Sequence, residues 1–522
     1  MMKGLPLHIV DYLIILISLL IPVLISLKFS KRQNNAGKFF TAGGTMPSWA
    51  IGISILATLI SSVTFLAYPG EGFSSNWILL VQGLMVPITL IFFIGFVVPL
   101  YRKVIGISAY EYFEKRFGFF ARLYSSLAFF LAHFSKMGTV FFLIALALSK
   151  MVGVDTATLI WILGILIVLI TLLGGIEAVV WMDVVQGIML IVGGLLALGI
   201  LIFSIDGGLS TIWKVGLEHK RIGFGPWDFS LTKLTFWVMA LNGIFYAIQK
   251  YGTDQTIVQR YLTAKSDKGA IKASLFGVLM SVPVWGLFMF IGTALFVYYQ
   301  LNAGSLPEGI KPDAVFPHFI MTQLPVGVIG IVLAALLAAA ISSLDSDLNC
   351  LSAITMEDFY NRYKPSASEK EKMFVSRLVI ALAGLGAVLI AQYYVKNGGN
   401  GVLGIVFTLY SIFSGGIAGM FLLGVFTSKA NRKGLYIGII ASVLFTAYAV
   451  LTSKPLMPGK AIVLNLGHFN FTHHKMMIGV YSHLVLMGVG YVASFFFQQE
   501  KDISALTYSS YLKAKQGLKI NK

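Results

Sequence analysis

Cysteine is almost missing from this chain: Cys350 is the single one in 522 residues, which excludes an intrachain disulfide and an all-cysteine metal site. Charge is scarce as well. Asp, Glu, Lys and Arg make up 12% of the residues against 57% hydrophobic ones, too little polar surface for a water-soluble fold of this length, and no separate soluble domain is expected. Also absent are a nucleotide-binding Gly-x4-Gly-Lys-Ser/Thr loop, a His-Glu-x2-His pair and a nucleophile with its base, which argues against an enzyme. Acidic residues number 22 against 39 Lys and Arg, a net charge of +17. That excess has no interleaved aromatic surface beside it, so no nucleic-acid partner is expected.

What is present is a succession of long apolar runs. Stretches of about 17 to 25 residues can cross a bilayer as helix, and about thirteen such runs follow one another: 9–27, 47–69, 77–100, 123–148, 157–173, 180–203, 234–249, 273–298, 324–352, 375–392, 402–426, 435–451 and 476–497. The expected fold is an all-α membrane protein with lipid as its surroundings. Lys28, Lys31, Arg32 and Lys38 follow span 1, Arg102, Lys103, Lys115, Arg116 and Arg122 follow span 3, and Arg260, Lys265, Lys268 and Lys272 follow span 7. Further basic clusters follow spans 9, 11 and 13. Because Lys and Arg of short loops concentrate on the cytoplasmic side, this alternation puts the N-terminus outside and the C-terminus in the cytoplasm. The first run carries Asp11 and meets a basic stop at Lys28 to Arg32, which reads as a retained span rather than a cleaved signal.

Span 9 departs from the apolar rule. Ser342, Ser343, Asp345, Ser346, Asp347 and Asn349 crowd into it. An aspartate at mid-bilayer costs about 2.5 to 3.5 kcal/mol on insertion scales, so it points to a cation, a proton or a water-filled path. Ser343, Ser346 and Asp347 stand at i, i+3 and i+4, one helical face of oxygen atoms suited to a small hard cation. Asp345 lies off that face and is expected against a neighbouring helix or cytoplasmic water. Lys136, midway through span 4, is expected to face an anionic ligand or to form an ion pair with Asp183 or Asp347. His133, one turn earlier, reads as a packed polar residue.

Spans 2 and 7 are interrupted. The run Ala57-Thr58-Leu59-Ile60-Ser61-Ser62-Val63-Thr64 puts hydroxyls at mid-depth, and span 7 runs into Gln249-Lys250-Tyr251-Gly252-Thr253-Asp254-Gln255 before a second apolar piece. Breaks at matching positions of two halves mark inverted-repeat transporters, whose ions bind at the breaks. Five spans apart, the two cross the membrane in opposite directions, which implies repeats over spans 2–6 (about 47–204) and 7–11 (about 234–426), with spans 1, 12 and 13 as additions to one transmembrane domain. Unwinding span 2 would free the Ala57 and Ile60 carbonyls to join the span 9 hydroxyls around an alkali ion. Any one of these hydroxyls could instead bond back to its own helix or serve close packing.

The chain resembles the sodium:solute symporter family through Thr41-Ala42-Gly43-Gly44-Thr45-Met46-Pro47-Ser48-Trp49-Ala50, the block Gly174-Gly175-Ile176-Glu177-Ala178-Val179-Val180-Trp181-Met182-Asp183-Val184-Val185-Gln186-Gly187, and Val258-Gln259-Arg260-Tyr261. Within that family it is most similar to the bacterial sialic acid symporters, through Ser61 to Phe65, Ser108 to Tyr112 and Leu295 to Gln300. The resemblance implies a leucine-transporter-like five-plus-five inverted repeat in the bacterial cell membrane, alternating access, and uptake of a small anionic sugar driven by co-transported sodium, without an organic cofactor. It implies sodium ligands at Ala57, Ile60, Ser343, Ser346 and Asp347, with Asp183 on a second sodium site or exit path. The implied substrate residues are Ser61, Ser62, Thr64, Gln82, Lys136 and Phe245. Four positions depart from the pattern: Lys136 stands where relatives carry an arginine, Asp347 where they carry a hydroxyl, Leu59 where they carry a threonine, and Gln82 aligns one residue from the family's glutamine. The alternatives are a sodium symporter for another carboxylate or a neutral sugar, or, in a different class, a channel or membrane sensor.

Overall fold

The computed structural model describes residues 7–31, 33, 35–396, 415–453, 462–498, 503 and 505–515. Over these residues it is helical, with one isolated bridge between Met46 and Ala264. Hydrocarbon imposes this, since each span must satisfy its own backbone polar groups. Along the first half run α1 (Ile9–Ser30), α2 (Ala36–Thr41), α3 (Ser48–Leu59), α4 (Ser62–Ser74), α5 (Ile78–Val104), α6 (Glu111–Phe117), α7 (Phe119–Val152), α8 (Thr156–Phe203) and α9 (Gly208–Glu218). The second half holds α10 (Phe236–Gly252), α11 (Gln255–Thr263), α12 (Asp267–Leu301), α13 (Pro312–Gln323), α14 (Val328–Ile354), α15 (Asn361–Tyr363), α16 (Glu369–Lys396), α17 (Ile417–Phe426), α18 (Arg432–Thr452) and α19 (Met476–Ser494). A π-helical turn over Thr355–Tyr360 joins α14 to α15.

Among the described residues nine helices are long and apolar enough to span, ten when the bent pair α3 and α4 is taken as one. Three causes account for the difference from thirteen expected spans. Expected spans 5 and 6 lie in α8, whose 48 residues would reach about 72 Å if straight, over twice the hydrocarbon thickness. Gly175, at φ 57 and ψ −171, breaks it. Helix α10 has only 17 residues, and expected span 11 is described only from 415 onward.

Both expected breaks are present. After α3 the chain turns extended at Ile60 (φ −101, ψ 111) and Ser61 (φ −110, ψ 175), and α4 leaves at 58° to α3. Thr58, Ile60, Ser61 and Ser62 favour this, because branched and hydroxyl side chains lose rotamers or compete for backbone bonds in a helix. After α10, Thr253 and Asp254 separate the segments, and the Asp254 side chain accepts from Thr256 N to cap α11.

Helix α14 is the axis of the molecule. Its apolar window is 83% buried, against 22% for α1 at the periphery, so its polar residues face protein rather than lipid. Asp11 of α1 caps it: the backbone N–H groups of Gly327 and Gly330 each donate to Asp11 Oδ1 at 2.8 Å. That accounts for a buried carboxylate in the first span. Helix α12 crosses α4 at backbone contact, since a Cβ on Gly292 would stand 2.2 Å from the Pro69 carbonyl oxygen, a small-residue crossing typical of membrane helices.

Candidate functional site

The break between α3 and α4 faces α14. A helix end leaves its last carbonyls without partners, and here the Ser342 hydroxyl donates to the Ala57 carbonyl at 3.1 Å. Ser343 Oγ next to it is fully buried and has no hydrogen-bond partner, and Ser62 Oγ on the other side of the break is in the same state. Freed carbonyls and an unengaged hydroxyl, with the Ile60 carbonyl in the extended turn, make a neutral oxygen set of the kind an alkali ion takes.

The three residues expected on one face of α14 do not act together. Ser346 and Asp347 are neighbours in sequence, about 100° apart on a helix of 3.6 residues per turn, and they are drawn to different partners. Ser346 Oγ accepts from Arg260 Nη2 at 2.8 Å. The same nitrogen is 2.8 Å from Asp183 Oδ2. Ser54 Oγ donates to that carboxylate oxygen at 2.5 Å and accepts from Arg260 Nε at 2.7 Å. A guanidinium thus binds both Asp183 and Ser346, where a second sodium path was expected. Asp183 Oδ1 is buried and unpartnered, and both carboxylate oxygens of Asp345 are likewise buried without a hydrogen-bond partner, so Asp345 does not reach cytoplasmic water.

Arg260 itself corrects the sequence reading. Counted with the cytoplasmic loop after span 7, it has no solvent exposure at all, as α11 carries it into the core. Arg116 and Arg122 also leave the loop tally. Arg116 donates to the Gly424 and Thr427 carbonyls at 3.1 and 2.8 Å, and Arg122 pairs with Asp358 at 2.5 Å.

Asp347 belongs to a second cluster. Lys136 Nζ lies 3.1 Å from its Oδ1 and 3.0 Å from its Oδ2, the ion pair that the sequence reading weighed against an anionic ligand. His133 Nδ1 is 2.8 Å from Asp347 Oδ1, and its Nε2 is 3.6 Å from Asp254 Oδ2, which Lys250 holds at 2.7 Å. The His133 ring stacks on Phe129 with centroids 3.7 Å apart. His133, Lys250 and Asp254 were not among the candidate residues. The spacing of His133 to Lys136, one helical turn, was the signal available for the first of them.

The remaining candidates sit on two sides. Ser61, Ser62 and Thr64 line the break. Gln82 of α5 accepts from Asn242 Nδ2 of α10 at 2.9 Å, and Phe245 stacks on His483 of α19 with centroids 5.3 Å apart. Both thus sit where α10 meets its neighbours.

The comparisons with known proteins agree on the class. A profile of the sodium:solute symporter family matches residues 39–442. The sodium/sialic acid symporter SiaT of Proteus mirabilis (strain HI4320) is 36% identical over 452 residues, 85% of this chain and 89% of the relative. The sodium/sialic acid symporter NanT of Aliivibrio fischeri is 32% identical over 80% of this chain and 82% of its own length. A substrate-bound, outward-open structure of a Na+-coupled sialic acid symporter superposes with a TM-score of 0.86 at 32% identity, covering 95% of this chain and 99% of that one. The helices therefore form the all-α, leucine-transporter-like fold of a multi-pass membrane transporter. Taken with the matched profile, this places the chain in the sodium:solute symporter family.

Proposed function

We propose that this protein imports sialic acid together with sodium by alternating access, with the ion at the break between α3 and α4 and the sugar's carboxylate on Lys136. The observation that carries the reading is the interrupted helix itself, whose Ala57 carbonyl receives the Ser342 hydroxyl of α14, next in sequence to the buried, unengaged Ser343 hydroxyl. Sodium is held there by the Ala57 and Ile60 carbonyls and Ser343, with Ser342 beside them. Ser346 and Asp183 are committed to Arg260, and Asp347 to Lys136, which removes them from this first cage. Lys136 lies on α7, which packs against both α4 and α14. Its side chain keeps 32% of its surface exposed at mid-helix, a cation open to an anionic guest. Ser61, Ser62 and Thr64 line the sugar's side of the break, with Gln82 and Phe245 on the α10 side.

Sodium binds first, because it fixes the extended turn at Ile60 and Ser61 that shapes the pocket. One charge moved through about 100 mV supplies roughly 2.3 kcal/mol, and a tenfold sodium gradient adds about 1.4 kcal/mol. Spans 2–6 and 7–11 act as the two repeats of one transporter domain, supported by the matched breaks at Ile60–Ser61 and Thr253–Asp254. The basic loops support an outside N-terminus and a cytoplasmic C-terminus.

The test is uptake of N-acetylneuraminate into proteoliposomes with and without an inward sodium gradient, paired with thermal shifts in detergent. Uptake should require sodium. Ser343→Ala should weaken sodium stabilisation by about tenfold in concentration, the worth of one ligand to a charged group. Lys136→Ala should weaken sialic acid binding sharply while sparing sodium. Equal uptake without sodium overturns the coupling, and unchanged binding by Lys136→Ala overturns the anion site.

A further inference from the structure

We infer that Asp347 is a built-in rival of the substrate: its carboxylate holds Lys136 until a substrate carboxylate displaces it, and so sets which anions can bind. This rests on the reading of Lys136 as the anchor of the anion. The ammonium spans both oxygens of Asp347, at 3.1 and 3.0 Å. The members of the cluster differ in what a guest can reach. Asp347 has no side-chain exposure, His133 7%, Lys250 12% and Asp254 15%, whereas Lys136 keeps 32%. An incoming anion therefore meets Lys136 first.

Displacement leaves Asp347 one partner: its Oδ1 retains His133 at 2.8 Å, whose other ring nitrogen lies 3.6 Å from Asp254, while its buried Oδ2 gives up its one close cation, a cost that the incoming anion's own contacts must offset. Lysine suits this exchange, being a point charge on a flexible stem rather than a fixed two-pronged fork. Exchanging one carboxylate for another at the same cation gives little net electrostatic gain. A bare carboxylate then has no advantage over Asp347, and only an anion that adds further contacts, such as a polyhydroxylated sugar acid, can displace it. That is selection by competition rather than by fit alone.

The experiment measures binding of N-acetylneuraminate and of acetate at saturating sodium to the full-length wild-type protein, Asp347→Asn, Asp347→Ser and Lys136→Ala. Freeing the ammonium should tighten N-acetylneuraminate binding by about tenfold, the low end of coupling between close charge pairs, and should make acetate binding measurable. Asp347→Ser, a smaller neutral side chain, gives the same readout if Asp347→Asn does not fold. The inference is overturned if either variant binds N-acetylneuraminate as weakly as Lys136→Ala, if affinities stay within twofold of wild type, or if the sodium requirement shifts instead, which would make Asp347 an ion ligand. Unchanged binding by Lys136→Ala marks a different failure, that of the anion site itself.

Discussion

Arg260 shows most clearly what one buried residue decides. Fully enclosed, it joins α11 to α3 through Ser54, to α8 through Asp183 and to α14 through Ser346. Replacing it with Ala leaves Asp183 buried without its counter-charge, and breaking such a pair costs about 3–5 kcal/mol. Arg260→Ala should therefore lower the melting temperature in detergent markedly, and Asp183→Asn added to it should recover part of the loss, because it removes the stranded charge. The motif containing Arg260 was legible in the sequence, but its place was not. Counting basic residues between apolar runs treats every one as a loop charge, and only the turn at Thr253 and Asp254 sends this one inward. Asp347 shows the converse. Its charge at mid-span announced a partner, yet the choice between an alkali ion and Lys136 depended on how α7 and α14 pack.

At the scale of elements, the broken helices were readable because their causes are local. Hydroxyl and branched residues from Thr58 to Thr64 weaken a helix wherever they stand, and Asp254 is a capping residue by its chemistry. Asp11 was readable only as an oddity of an apolar run. Its role as the cap of α14, through Gly327 and Gly330, joins residues more than three hundred positions apart. Asp11→Ala should destabilise the protein by about 1 kcal/mol, the usual value of a lost N-terminal cap, with sodium affinity unchanged; a thermal-shift titration reads both. Gln82 and Phe245 were named by resemblance, and their contacts with Asn242 and His483 followed from how α5, α10 and α19 meet, which no spacing encodes.

Across the whole molecule, a charged network ties elements far apart in sequence. Arg122 of α7 bonds Glu114 of α6 at 2.7 Å and Asp358 of the π-helical turn at 2.5 Å, and Ser126 and Ser108 donate to the other oxygen of Asp358. Arg362 pairs with Glu114 as well. At Glu114 burial opposes the charged form, but hydrogen bonds and charge from Arg122 and Arg362 outweigh it and hold the carboxyl below its ordinary value. A folded pKa below the unfolded one stabilises at pH above the ordinary carboxylate range, and that stabilisation fades as pH falls through the folded value. Glu114's own contribution to the melting temperature should thus be constant near neutrality and fade below about pH 4.5, and Glu114→Gln should remove that part of the acid-side decline.

Composition and apolar periodicity by themselves determined a helical membrane protein, its interrupted spans and a polar central helix, because hydrocarbon penalises any other arrangement of those residues. The motifs carried the family. The pairing of polar groups was decided only in three dimensions: which carboxylate meets Arg260, which meets Lys136, and which buried hydroxyl is left without a partner. Each carries the same insertion cost wherever its partner lies along the chain, and the partner is selected by which helices the fold brings into contact.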